Sequence, residues 1–113
     1  MNFQQAVKVC FSKYVDFSGR GSRSEYWWFV LAYVIVAIVA GFIHEIVYLV
    51  AILAFLLPLL SAGARRLHDM GKSGWWLLIG LIPVVGLVLI YFMVQPTQPE
   101  SNEYGAPPSP VAA

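Results

Sequence analysis

RRLHDMGKSGWW, residues 65–76, decides how this chain is read. It holds three of the seven basic side chains, one carboxylate, one of the two histidines and two of the four tryptophans, and long apolar runs flank it. An Arg, Lys or Asp at the centre of a bilayer costs at least ~2.5–3.5 kcal/mol, so such a cluster marks a place where the chain meets water. Trp75 and Trp76 then open the next run at headgroup depth, where an indole keeps its N–H among polar groups and its body among acyl chains. The stretch reads as a loop at a membrane surface.

Composition agrees. Of 113 residues, 59% are hydrophobic and 12% charged, against about 25% charged in a soluble domain. Mean hydropathy is +0.71, and the excess apolar surface needs lipid to cover it. One domain is the ceiling at this length. A net charge of +1 sets up no field for nucleic acid, and no basic stripe interleaves with aromatics. The single cysteine, Cys10, excludes an internal disulfide and reads as a small apolar residue on a helix face, with lipidation or redox sensing as the alternative. No secretory signal is expected: the first apolar run starts late, lacks a small-residue cleavage site and is followed at once by another.

Upstream of the loop, residues 1–15 place Phe3, Val7, Cys10, Phe11 and Tyr14 at helical spacing, with Gln4, Lys8 and Lys13 on the other face. This amphipathic helix either lies in the interface or packs on the end of the helix bundle. The glycines and serines of residues 16–23 make a turn, and Ser22 with Glu25 fits a capping box that starts the next helix. From Trp27 to Ala64 a single helix would be ~57 Å long, far beyond a ~30 Å hydrocarbon core, so the run must turn back near Gly41 to Glu45. Two spans of about 15–19 residues result, short enough that a partly re-entrant pair is the alternative. Pro58 should kink the second, and Ser61 and Gly63 leave room for a neighbour.

Downstream, Trp75 to Val94 supplies a third span of about 20 residues, N-capped by Ser73, with Pro83 and Gly86 near its middle. Residues 95–113 contain five prolines and no basic residue, which predicts an extended tail. The expected architecture is an all-α membrane protein: an amphipathic interfacial helix and turn (1–23), three transmembrane helices (24–94) and a disordered Pro-rich tail (95–113).

All Lys and Arg fall in residues 8–23 and 65–72. With three spans these lie on one side, which the positive-inside rule makes cytoplasmic, with the amino terminus inside and the carboxyl terminus periplasmic. Asp69 ends the second span, where the helix dipole disfavours a negative charge, and Arg65 and Arg66 stand four and three residues back. The expectation is a polar lattice of Arg20, Arg23, Glu25, Arg65, Arg66 and Asp69, joining the first span's start to the second's end. His68, Lys72 and Trp75 stand beside it.

The residues Phe17, Gly19, Arg20, Arg23, Glu25, Tyr26 and Trp27, the RRLHD and SGW of residues 65–69 and 73–75, Pro83, Gly86, Asn102, Tyr104 and Gly105 resemble a known pattern. It is that of the small bacterial inner-membrane proteins catalogued as domain of unknown function eight hundred and five. Met70 stands where a small polar residue is common, and Ala106 where a proline often follows. The resemblance implies an inner-membrane location and supplies no activity.

Four chemistries compete for the cluster. A hydrolase built on His68, Asp69 and Ser73 is disfavoured because adjacent residues on a helix point about 100° apart. A metal site from His68, Asp69 and Glu25 is thin for a transition metal, and no cofactor is implied. A channel or transporter would need an oligomer, since no run carries an ionisable residue in mid-span. Binding remains: four arginines and Lys72 beside interfacial tryptophans can hold anionic lipid headgroups. The reading is a non-enzymatic scaffold or partner subunit that touches anionic lipid, with a membrane protein or a second copy as partner. The alternative is a subunit of an oligomeric small-solute pathway.

Overall fold

In the computed structural model, which describes residues 2–108, four α-helices and one 3-10 helix follow in order. They are α1 (Phe3–Ser12), α2 (Arg23–Ile43), α3 (Glu45–Asp69), the 3-10 helix (Gly74–Leu81) and α4 (Gly86–Met93). The start of α2 is capped as its sequence predicts, the Ser22 hydroxyl accepting from the Glu25 amide at 3.2 Å. The reversal falls inside the predicted window and takes one residue. His44 is extended (φ −170°, ψ 150°), ends α2 and caps α3, its Nδ1 accepting from the Ile46 amide at 3.0 Å. At 1.5 Å per residue α2 and α3 are ~31 and ~37 Å long, enough for a ~30 Å core. These are the two helices, among the described residues, long and apolar enough to cross a membrane.

The predicted third span is not one helix. Residues 74–81 wind as a 3-10 helix, the chain turns at Ile82 to Val85, and α4 runs back beside it. Neither leg is long enough to cross a ~30 Å core by itself, being ~16 Å long at 2.0 Å per residue and ~12 Å at 1.5 Å per residue. Proline at position 83 has no amide to continue a ladder, and glycines on either side let the legs touch. A Cβ on Gly86 would lie 3.4 Å from the Gly80 Cα, and one on Gly80 3.2 Å from Leu89. Both ends of this hairpin meet the last turns of α3. At its start, a Cβ on Gly74 would lie 3.1 Å from the Ala64 Cβ; at its end, the Met93 carbonyl accepts from Arg66 and from Trp27.

Of the two readings for the first helix, packing on the bundle is the one seen. Ala6 and Cys10 of α1 are buried, and Phe11 meets Phe29 of α2 and Phe55 of α3 at ring separations of 5.2 and 5.3 Å. On α3, Ser61 and Gly63 do admit neighbours. The Ser61 hydroxyl stands 3.2 Å from the Lys13 and Tyr14 carbonyls, and Leu77 of the 3-10 helix covers Gly63. The tail differs from expectation as well: residues 95–108 fold against the polar end of the bundle, while Met1 and residues 109–113 of the predicted segments lie outside the described residues.

Pro58 explains one long-range bond. Lacking an amide, it leaves the Ala54 carbonyl four residues back without its helical donor, and the Tyr14 hydroxyl donates to that carbonyl at 2.8 Å. Tyr14→Phe keeps the ring but orphans the carbonyl in an apolar setting. It should lower stability by about 1–3 kcal/mol, read as the unfolding midpoint in detergent. An unchanged midpoint would deny the bond this role.

Candidate functional site

The site is built on the last two and a half turns of α3, where every residue from Ser61 to Asp69 is buried. Consecutive residues on a helix diverge by about 100°, so each side chain of Arg65, Arg66, His68 and Asp69 goes to a different neighbour. Arg65 turns to α1, its Nη1 donating to the Lys13 and Asp16 carbonyls at 3.3 and 2.8 Å. Arg66 turns to α4, its Nε donating to the Met93 carbonyl at 3.0 Å and its Nη2 to that of Gln95. Each arginine thereby caps the carboxyl end of another helix, where the last carbonyls have no intrahelical donor.

Asp69 is fully buried and both its oxygens are taken: Oδ1 by Arg20 Nε at 2.9 Å and Oδ2 by Arg66 Nη1 at 2.7 Å. The rest of the Arg20 fork holds the chain beyond α4, donating to the carbonyls of Gln98 and Glu100, both at 2.8 Å, and of Gly105 at 3.2 Å. It also donates to the Asp69 carbonyl at 3.2 Å. His68 Nδ1 faces the Gly19 carbonyl at 2.9 Å, and its ring stacks on Tyr104 with centroids 3.9 Å apart. The Asn102 amide donates to the His68 carbonyl at 3.0 Å.

Of the expected lattice, Arg20, Arg66 and Asp69 are joined directly, while Arg23 and Glu25 make no ion pair among the described residues. Arg66 answers Asp69 and Arg65 does not. Arg65 instead lies against Gly21, whose amide donates to the Arg65 carbonyl at 2.8 Å; a Cβ on Gly21 would come within 2.6 Å of Glu25 Oε2 and 3.3 Å of the Arg65 Cβ. Buried Glu25 thus stands beside Arg65, whose Nε has no hydrogen-bond partner among the described residues. Arg23 is exposed and donates to the Val94 carbonyl at 3.2 Å, Lys72 lies over the Phe92 ring at 5.3 Å, and Trp75 is 78% exposed. The Ser73 hydroxyl caps the 3-10 helix at the Trp75 amide, 3.2 Å away.

Counting side-chain charges leaves cations in surplus here; the carbonyls of residues 93–105 answer them. Trp27, Gln98, Glu100, Asn102 and Tyr104 lie outside the expected site; Gln98 and Glu100 enter through backbone carbonyls, which carry no residue-type signal, and Trp27, Asn102 and Tyr104 through side chains. The one available hint was the place of Trp27, Asn102, Tyr104 and Gly105 in the family resemblance.

Cys10 points into the same region, its sulfur 3.9 Å from Arg65 Nη2. Burial pushes its thiol up to about 12, with Glu25 adding to the rise and Arg65 opposing it. A thiol so raised is protonated at neutral pH and a poor nucleophile, so a maleimide should label Cys10 only after denaturation. Rapid labelling of the native protein would contradict this burial. Asp69→Asn should cost about 3–5 kcal/mol, the range for breaking a buried ion pair from one side, and Asp69→Lys should prevent folding. Native-like melting of either variant would show the pairing to be dispensable.

The chain is 42% identical to the inner membrane protein YhaI of Escherichia coli (strain K12) over 103 residues, covering 84% of this chain and 87% of that one. It is 37% identical to the inner membrane protein YhaH of the same strain over 108 residues, covering 84% and 88%. No solved structure matches. With residues 14–106 matching the family model described as a protein of unknown function (DUF805), the chain belongs to that family of bacterial inner-membrane proteins.

Proposed function

We propose that the protein is a non-enzymatic scaffold or partner subunit of the inner membrane, crossing the bilayer twice with both termini cytoplasmic. The observation that carries this reading is the shared Met93 carbonyl, which Trp27 and Arg66 bind at 2.9 and 3.0 Å. A chain that had crossed a third time could not return its residue 93 to the start of α2 and the end of α3. With two crossings, residues 8–23, 65–72 and the tail share one side, and the positive-inside rule makes it cytoplasmic. The sequence expectation of a periplasmic carboxyl terminus rested on a third crossing, which this reading replaces with a return to the cytoplasmic side.

Contact with anionic lipid passes to different residues than composition suggests. Arg20, Arg65 and Arg66 are buried and occupied, so headgroups would meet the rim: Lys8, Arg23 and Lys72, with Trp75 as the interfacial ring. The enclosed arginines then act as internal caps that stiffen one face of the bundle, as suits a surface that presents itself to a partner.

The threading is tested with single cysteines in a Cys10→Ala background and an impermeant maleimide. Phe42→Cys, 88% exposed at the end of α2 beside the His44 reversal, should label in intact cells, and Ser101→Cys only after the inner membrane is opened. Labelling of Ser101→Cys in intact cells would overturn the two-crossing reading.

A further inference from the structure

Beside the polar end lies a groove of about 430 Å³, walled by Phe17, Leu60, Trp75, Leu77, Leu78 and Tyr104. That is within the ~300–1,000 Å³ of small-ligand sites. His68, Ser73 and Gly74 complete its lining. The groove is thus lined by a few polar groups and by apolar side chains of α3 and the 3-10 helix.

The polar lining is built for hydrogen bonding. His68 is 92% buried by the 8% exposure of its side chain and backbone together. Its Nδ1 faces a carbonyl, which can only accept, so that nitrogen carries the proton. The other nitrogen, Nε2, is turned towards Gly74, 3.7 Å from where a Cβ would stand, and has no hydrogen-bond partner among the described residues. Glycine at 74 keeps the space in front of it open. The Ser73 hydroxyl, which also lines the groove, accepts from the Trp75 amide and has its own proton to give. One acceptor and one donor thus line the same groove, with Phe17 and with Tyr104, which stacks on the imidazole.

We propose that this groove binds a single-chain fatty acid, its carboxyl group sharing one proton with His68 Nε2 and accepting from the Ser73 hydroxyl, its alkyl chain running along Leu60, Leu77 and Leu78. A carboxyl group matches both partners at once. A methyl ester has the same chain but no proton to share. A phospholipid brings a bulky head and no such proton.

The experiment uses the full chain in nanodiscs of zwitterionic lipid and follows tryptophan quenching by 9,10-dibromostearic acid, its methyl ester and a brominated phosphatidylcholine. The acid should quench saturably, half-saturating at about tenfold lower concentration than the ester, the difference expected for about one hydrogen bond to a charged or proton-sharing partner. The signal should vanish in Trp75→Phe. His68→Gln should raise the half-saturating concentration by about tenfold; if that variant does not fold, Leu60→Phe with Leu78→Phe, which narrows the channel, should abolish saturable quenching instead. Equal, unsaturable quenching by all three probes would mean that bulk acyl chains fill the groove, and the proposal would fail. It would fail too if a folded His68→Gln, or the folded double variant, bound the acid unchanged.

Discussion

Burying Asp69 with two guanidiniums is the constraint on which the rest of this small fold depends. Desolvating three charges costs several kcal/mol each, and Coulomb attraction offsets that only when every remaining donor and lone pair is satisfied. Arg20 and Arg66 occupy the two carboxylate oxygens, and their other N–H groups go to carbonyls of Asp69, Met93, Gln95, Gln98, Glu100 and Gly105. Those carbonyls exist at that spot only if the chain after α3 comes back to it. The charge cluster therefore imposes the return of α4 and the docking of the tail.

The return explains the unusual local structure of residues 74–93. A segment this apolar that turns back on itself between two short helices needs its backbone groups satisfied within the protein. The 3-10 helix and α4 keep most amides bonded within each leg, and the turn retains bonds of its own, the Gly86 amide donating to the Ile82 carbonyl at 2.6 Å. At the other end, the last carbonyls of α4 meet Arg23, Trp27 and Arg66 rather than lipid. Half-length helices with Pro and Gly between them are stable here because α3 covers one side and these donors close the exit.

Much of this could be read from residue types. The His44 reversal followed from the length limit, the Ser22 cap from its spacing to Glu25, and the Arg20–Asp69–Arg66 cluster from the dipole at the end of α3. The hairpin could not, because Trp75 to Val94 has the length and hydropathy of a span; only the Gly80, Pro83 and Gly86 spacing hinted otherwise, and packing explains such residues equally well. The ordered tail was hidden for a different reason. Its composition buries little apolar area, and residues 95–105 are held largely by backbone carbonyls, which every sequence has, with the Asn102 amide and the Tyr104 ring adding two side-chain contacts to His68.

The basic residues divide by type in a way that follows from this geometry. The three enclosed ones, Arg20, Arg65 and Arg66, are all arginines, whereas Lys8, Lys13 and Lys72 are exposed or half-buried. A guanidinium presents five N–H donors in a fixed planar fork and is weakly hydrated, so one side chain can hold a carboxylate and several carbonyls on different segments. An ammonium is a compact, strongly hydrated point charge that could not reach the Gln98, Glu100 and Gly105 carbonyls together with Asp69, as Arg20 does. Lysine would leave acceptors of the returning chain orphaned in a buried site, a cost of about 1–3 kcal/mol for each. The forks that fold the polar end are thus carried by three of the chain's seven cations, and exchanging arginine for lysine would keep the charge while removing the fork.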